Sequence, residues 1–167
     1  KLISNIRSNV VGQDDTIEEL ISVLWRNSGR EHKNNILLLG PTGVGKTEIV
    51  RALEQNLNGI PITTVDVSNF TKTGYKGDSV TDILKNALNK FGGDISQVEN
   101  SIIVLDEFDK LAKRGNSEDD VTTRGVQQEL LKLLEDGEYN VELGDEINIR
   151  KKVFIKIPPF VNMITEK

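Results

Sequence analysis

The eight residues from Gly40 to Thr47 read Gly-Pro-Thr-Gly-Val-Gly-Lys-Thr, and every fixed position of the spacing G-x-x-x-x-G-K-[ST] is satisfied. The chemistry this spacing supports is phosphate binding. Gly40, Gly43 and Gly45 permit backbone angles and a closeness of approach denied to residues with a Cβ, so several N–H groups can converge on phosphate oxygens. A helix starting at the same point adds the positive end of its dipole. Lys46 is placed to reach the β- and γ-phosphates and so to act in catalysis, and the Thr47 hydroxyl is a natural Mg²⁺ ligand. The nucleotide-binding set is therefore Gly40, Pro41, Thr42, Gly43, Val44, Gly45, Lys46, Thr47 and Glu48. The plainer alternative is a glycine-rich turn with a chance Lys-Thr. An apolar run before the loop and an amphipathic helix after it favour the phosphate loop.

A second chemical signal is Asp106-Glu107, which directly follows the apolar run Ile102-Ile103-Val104-Leu105. In a parallel sheet the carboxyl ends of neighbouring strands share one edge, so Asp106 can approach the phosphate loop despite its distance in sequence. Two adjacent carboxylates there can divide the work. Asp106 would hold Mg²⁺, directly or through water, and Glu107 would orient and deprotonate the attacking water as general base. The alternative is an acidic strand end facing solvent, or a helix cap. This pair turns a binding site into a hydrolytic one.

Other chemistries lack their residues. The chain has one histidine, His32, in a polar stretch, which leaves a histidine-dependent triad or metal site unsupported. It has no cysteine, which excludes disulfides and thiolate-held zinc within the chain. Lys plus Arg number 21 against 26 Asp plus Glu, and the net charge of −5 argues against a broad nucleic-acid surface. No apolar run is long enough to span a membrane, and the first residues lack a signal-peptide core, so a soluble, cytoplasmic protein is expected. Trp25 is expected in core or rim packing. The chain starts at Lys1 rather than Met, and a longer natural protein is expected.

The elements that must position these residues follow from periodicity. Thr16 and Glu19 have capping-box spacing, and Ile17, Leu20, Ile21 and Leu24 form one apolar face, which predicts a helix ending near Trp25. Asn27 to Asn35 reads as a loop, and Ile36 to Leu39 as a buried strand. A helix is predicted from Gly45 to Leu57 and a strand from Ile62 to Val67; a helix starting at Ser79 follows and is ended by Gly92-Gly93. Ser101 to Leu105 is a third strand, and Val126 to Leu134 a third core-facing helix. Strands alternating with helices imply right-handed crossovers and a parallel sheet covered on both faces. The tail alternates instead, at Tyr139, Val141 and Leu143, then Ile147 and Ile149, then Val153, Ile155 and Ile157, which predicts an appended β-hairpin or small meander over 138–157. The fold class is α/β, a three-layer P-loop domain over 1–167 with a parallel sheet and that appended hairpin. Lys113 to Asp120 reads as a loop.

With these residues in place, the chain resembles the AAA+ unfoldases of the Clp group. The matching pieces are VVGQ at Val10–Gln13, the Gly40–Thr47 loop, GYKG at Gly74–Gly77, LDEFDK at Leu105–Lys110 and GVQQELLKLLEDG at Gly125–Gly137. They occur in family order and span most of the chain. The resemblance implies ATP with Mg²⁺ as cofactors, adenine contacts at Val10 and Val11, and a pore-facing loop in which Tyr75, flanked by Gly74, Lys76 and Gly77, grips substrate polypeptide. Tyrosine offers a large surface that needs no matched sequence. It further implies a homo-oligomeric ring, a hexamer, that threads polypeptide through a central pore, with a partner protease. Val10 and Val11 can equally be an apolar anchor for the first helix, and Gly74–Gly77 an ordinary surface turn.

The sequence departs from the group in places. Lys76 stands where these unfoldases usually carry an apolar residue, and 113–124 matches poorly where a second pore loop would be. With no cysteine among these 167 residues, the group's zinc-binding N-terminal module is not expected within this stretch. The first-sensor strand is expected to begin at Phe160 to Ile164, and no sensor residue, arginine finger or helical lid is assignable. The competing readings are an AAA+ motor or loader acting on DNA, which would share the ATP-site residues, and a truncated nucleotide-binding domain without turnover.

Overall fold

Strand β3 (Ile102–Asp106) explains the architecture in five residues. Successive side chains of a strand point to opposite faces, and here Ile103 and Leu105 join one buried cluster while Ile102 and Val104 join another. Both faces of the strand are therefore covered, and the molecule has three layers. The computed structural model describes residues 2–28, 34–41, 43–71, 79–112, 128, 130–131, 133–135, 137–142, 146–150 and 154–156.

Helices α1 (Leu2–Asn9), α2 (Asp14–Ser28) and α3 (Lys46–Asn56) cover one face. Ile6, Val10, Ile17, Leu20, Ile49, Val50 and Leu53 pack there with Leu38, Ile62, Ile102 and Val104. Burial of each large aliphatic side chain stabilises the fold by about 1.5–3 kcal/mol. Arg7 of α1 pairs with Asp14 and Glu18 of α2, tying the two helices at the surface. Helix α2 begins two residues before Thr16, so the expected capping box is not formed. Thr16 lies within the first turn and donates to the Gln13 side chain at 3.4 Å. Trp25 is 80% exposed, against expectation. Ile17, Leu20 and Leu24 already take the inward stripe, and the next position rotates about 100° away from it.

The opposite face carries α4 (Ser79–Lys90) and α5 (Ile95–Glu99). Ile83, Leu84, Ala87 and Leu88 are fully buried in one cluster with Ile103, Leu105 and Val98, and Phe91 packs against it partly buried. Asp94 caps α5 by accepting the Gln97 N–H at 3.2 Å, and bonds from the Gln97 side chain and backbone hold its carboxyl below the ordinary value. Of the helix expected over 126–134, Gln128, Leu130 and Leu131 are helical, and Leu130 and Leu133 are completely buried in this same cluster.

The sheet has the order β1-β6-β3-β2, where β1 is Ile36–Leu37, β2 is Ile62–Asp66 and β6 is Phe154–Lys156. All its pairings are parallel. This corrects the reading of the tail. Strands β4 (Glu138–Glu142) and β5 (Glu146–Arg150) do form an antiparallel hairpin, and it packs on α4 through Val141 and Tyr139. Phe154–Lys156, grouped with the hairpin by its alternation, instead runs between β1 and β3. Alternation alone cannot tell a core strand three residues long from a hairpin arm.

Strand β1 also differs from its prediction. Leu38 is buried, but Leu37 is 50% and Leu39 46% exposed. The reason is position: β1 is an edge strand among the described residues, so one side of its apolar run faces an open cavity of about 420 Å³ against α2 rather than another strand. Asn27, expected in a loop, lies in the last turn of α2 instead. Its buried side chain donates to Asn34 O at 2.9 Å and accepts the Asn34 N–H at 3.0 Å, which closes the connection to β1.

Candidate functional site

Because the sheet is parallel, β1, β3 and β2 present their carboxyl ends along one edge, and the groups picked out by their chemistry follow those ends. The loop leaving β1 turns through Gly43 (φ 84°) and Gly45 (φ 95°) into α3. Both lie in the left-handed region, which a side chain would strain. Gly45 is the N-cap of α3 and supplies no side-chain cap, so the first-turn N–H groups of this 11-residue helix face the loop without a protein acceptor from that position. Lys46 Nζ donates to the carbonyl oxygens of Gly40 at 2.6 Å and Pro41 at 2.7 Å, folding the ammonium over the loop. Thr47 and Glu48 are exposed on the first turn of the helix.

A cavity of about 250 Å³ is lined by Gly43, Gly45, Lys46, Thr47, Glu48, Asp106 and Glu107. The two signals found separately in the sequence thus share one space. Strand β3 is not the direct neighbour of β1; β6 lies between them, and the acid pair reaches the loop across that strand's end. The Asp106 Oδ1 accepts the Glu107 N–H at 2.8 Å. Glu107 adopts φ 59°, uncommon for a residue with a side chain, at a cost on the order of 1 kcal/mol. Its carbonyl accepts the Lys110 N–H at 3.1 Å, and its Oε2 pairs with Lys110 Nζ at 3.0 Å. Lys110 opens the short helix α6 (Asp109–Ala112) with Asp109.

The hydrogen bond to Glu107 raises the Lys110 pKa above its ordinary 10.5; partial desolvation opposes this, and the charges of Glu107, Asp66 and Asp109 add to it. A raised cationic pKa means the interaction is fully present below the unfolded value and is lost as pH climbs through the folded one. At neutral pH the pair is intact. Asp66, at the end of β2, lies in register with Asp106 and accepts from the Ser68 N–H at 2.9 Å and hydroxyl at 2.6 Å.

The donor set suits a hard divalent cation. Thr47 and Asp106 offer a hydroxyl and a carboxylate, and no group of three or more His, Cys, Asp or Glu able to hold a metal occurs among the described residues. Such a set fits a hard divalent cation held by one or two protein oxygens together with phosphate and water. The uncapped helix start and the left-handed glycines fit a polyphosphate.

The remaining candidates divide. Val10 is 6% exposed within the α1–α3 core and Val11 is 93% exposed, and neither lines the phosphate cavity. Gln13 of the same segment does contact the loop: its Nε2 donates to Val44 O at 3.0 Å. That contact, and Lys110, carried no local signal beyond their places in the motifs. Thr42, the Gly74–Gly77 loop with Tyr75 and Lys76, His32, the 113–124 stretch and Phe160–Ile164 lie outside the described residues.

Comparison with known proteins agrees with this geometry. The AAA domain (Cdc48 subfamily) matches residues 31–160. The ATP-dependent Clp protease ATP-binding subunit ClpX of Azotobacter vinelandii is 44% identical over 119 residues, 70% of this chain and 27% of that protein. Its counterpart in Borrelia duttonii (strain Ly) is 36% identical over 157 residues, 84% of this chain and 36% of that protein. The chain thus spans about a third of the length of the curated relatives it matches. With the family matched over well more than half of the chain and the phosphate loop and acid pair inside the matched span, the chain belongs to the AAA domain family and is ClpX-like.

Proposed function

We propose that this chain is the ATP-binding and ATP-hydrolysing module of a ring-forming protein unfoldase. The observation that carries the reading is the shared cavity: the Gly40–Thr47 loop and the Asp106-Glu107 pair line one space at one sheet edge. In this reading the loop amides and the Lys46 ammonium bind the β- and γ-phosphates, Lys46 leaving its two carbonyl partners to do so. Thr47 and Asp106 would hold Mg²⁺, which would supply positive charge against the developing phosphate charge. Glu107 takes the proton of the attacking water. Pro41, Thr42, Val44 and Glu48 complete the nucleotide-binding set, while the adenine contact of Val10 and Val11 gains no support from their burial and exposure.

The ClpX relatives support carrying this activity to polypeptide substrates, with a Clp-type protease as partner and a hexameric ring as the working assembly. The Tyr75 loop is then the substrate grip, and a cytoplasmic setting follows from the same likeness. No helix among the described residues is long and apolar enough to cross a membrane. The test is Glu107→Gln in the full-length protein, read by nucleotide titration, phosphate release and ATP-dependent unfolding of a tagged reporter. ATP affinity should be kept within about threefold while turnover falls at least about a hundredfold. Unchanged turnover would remove Glu107 from the mechanism.

A further inference from the structure

The general base assigned above is held by a group the reading has not used. Glu107 sits in a left-handed backbone conformation at φ 59°, its N–H bonded to Asp106 Oδ1 at 2.8 Å and its carbonyl bonded to the Lys110 N–H at 3.1 Å. These contacts fix where the side chain starts. The carboxylate is then engaged at its far end, where Oε2 pairs with Lys110 Nζ at 3.0 Å. The partners are three residues apart and partly exposed, and a surface ion pair of this kind adds little to stability. Its place matters more than its strength, because it ties one oxygen of the cavity-lining carboxylate and leaves Oε1 for a proton. Two neighbouring carboxylates, on Asp66 and Asp109, keep a cation favourable at this position.

We propose that Lys110 is a positioning residue for ATP hydrolysis, fixing the Glu107 carboxylate by one oxygen so that the other is directed at the attacking water. The proposal rests on Glu107 being the base. Lys110 is not among the residues lining the cavity, and in this proposal it acts only through that carboxylate. A base free to rotate spends time in unproductive orientations, and small misplacements of reacting groups lower rates steeply.

The experiment compares Lys110→Met and Lys110→Arg in the full-length protein with Mg·ATP, alone and combined with Glu107→Gln. Lys110→Met should lower kcat about tenfold and leave KM and the ATP dissociation constant within about twofold, whereas Lys110→Arg should recover kcat to within about threefold. In the Glu107→Gln background, Lys110→Met should change the residual single-turnover rate by less than about twofold, since there is no base left to position. Unchanged or raised kcat in Lys110→Met, or the same tenfold loss in both backgrounds, would overturn the proposal. If Glu107→Gln alone keeps turnover, the base assignment fails first and is read independently of any Lys110 variant.

Discussion

Gly45 shows how one residue type can serve both local structure and the proposed nucleotide binding. At φ 95° it ends the phosphate loop and starts α3, and a Cβ built on it would meet no atom within 4 Å. The penalty for a side chain is therefore purely one of backbone angle, of order 1–2 kcal/mol. Gly59, which follows α3 at φ 85° with equally open surroundings, provides the control because it lies outside the cavity. Gly45→Ala should relieve its strain by re-aiming the loop amides, weakening nucleotide binding at least about tenfold in calorimetric titration. Gly59→Ala should cost similar stability and leave affinity unchanged. Equal affinity losses in the two variants would mean that the loop's backbone angles do not govern binding. Lys46 belongs to the same scale: its ammonium is satisfied by the Gly40 and Pro41 carbonyls, which the proposed function has it exchange for phosphate oxygens.

At the scale of elements, burial separates apolar runs that look alike in sequence. Leu105 on β3 is fully buried between two packed faces, whereas Leu37 on β1 is 50% exposed at the sheet edge. Leu105→Ala should destabilise the fold by about 2–5 kcal/mol, and Leu37→Ala by less than about 1 kcal/mol, in denaturant unfolding of the full-length protein. Comparable losses would mean that the β1 edge is covered in the intact molecule. This contrast marks what was legible beforehand. The loop and helix from Gly40 to Asn56 and the helix starting at Ser79 were readable because each helical periodicity is long and its turn residues are specific. The acid pair was readable because it ends a fully apolar strand. Strand β6 was not, since three residues carry too little pattern to choose between a hairpin and a sheet. Asn27 was misplaced because its role is a bond to Asn34, and Lys110 was overlooked because its role is a bond to Glu107; neither side chain's identity announces its partner.

At the scale of the whole molecule, the charges that line the proposed hydrolytic site carry the next expectation. Among its described lining residues Lys46 is the sole cation, facing the carboxylates of Glu48, Asp106 and Glu107. Transfer of the γ-phosphoryl group spreads negative charge over oxygens that one lysine and one divalent ion only partly neutralise, and a further cation can raise the rate by orders of magnitude. In the proposed ring, a neighbouring subunit would supply that cation. Specific ATPase activity of the full-length protein should then rise steeply with concentration and saturate where sedimentation shows the ring complete, while nucleotide affinity per subunit changes far less. Activity that stays constant on dilution below the assembly threshold would place every catalytic cation within one subunit. It would also detach hydrolysis from the ring through which the Tyr75 loop is proposed to draw polypeptide.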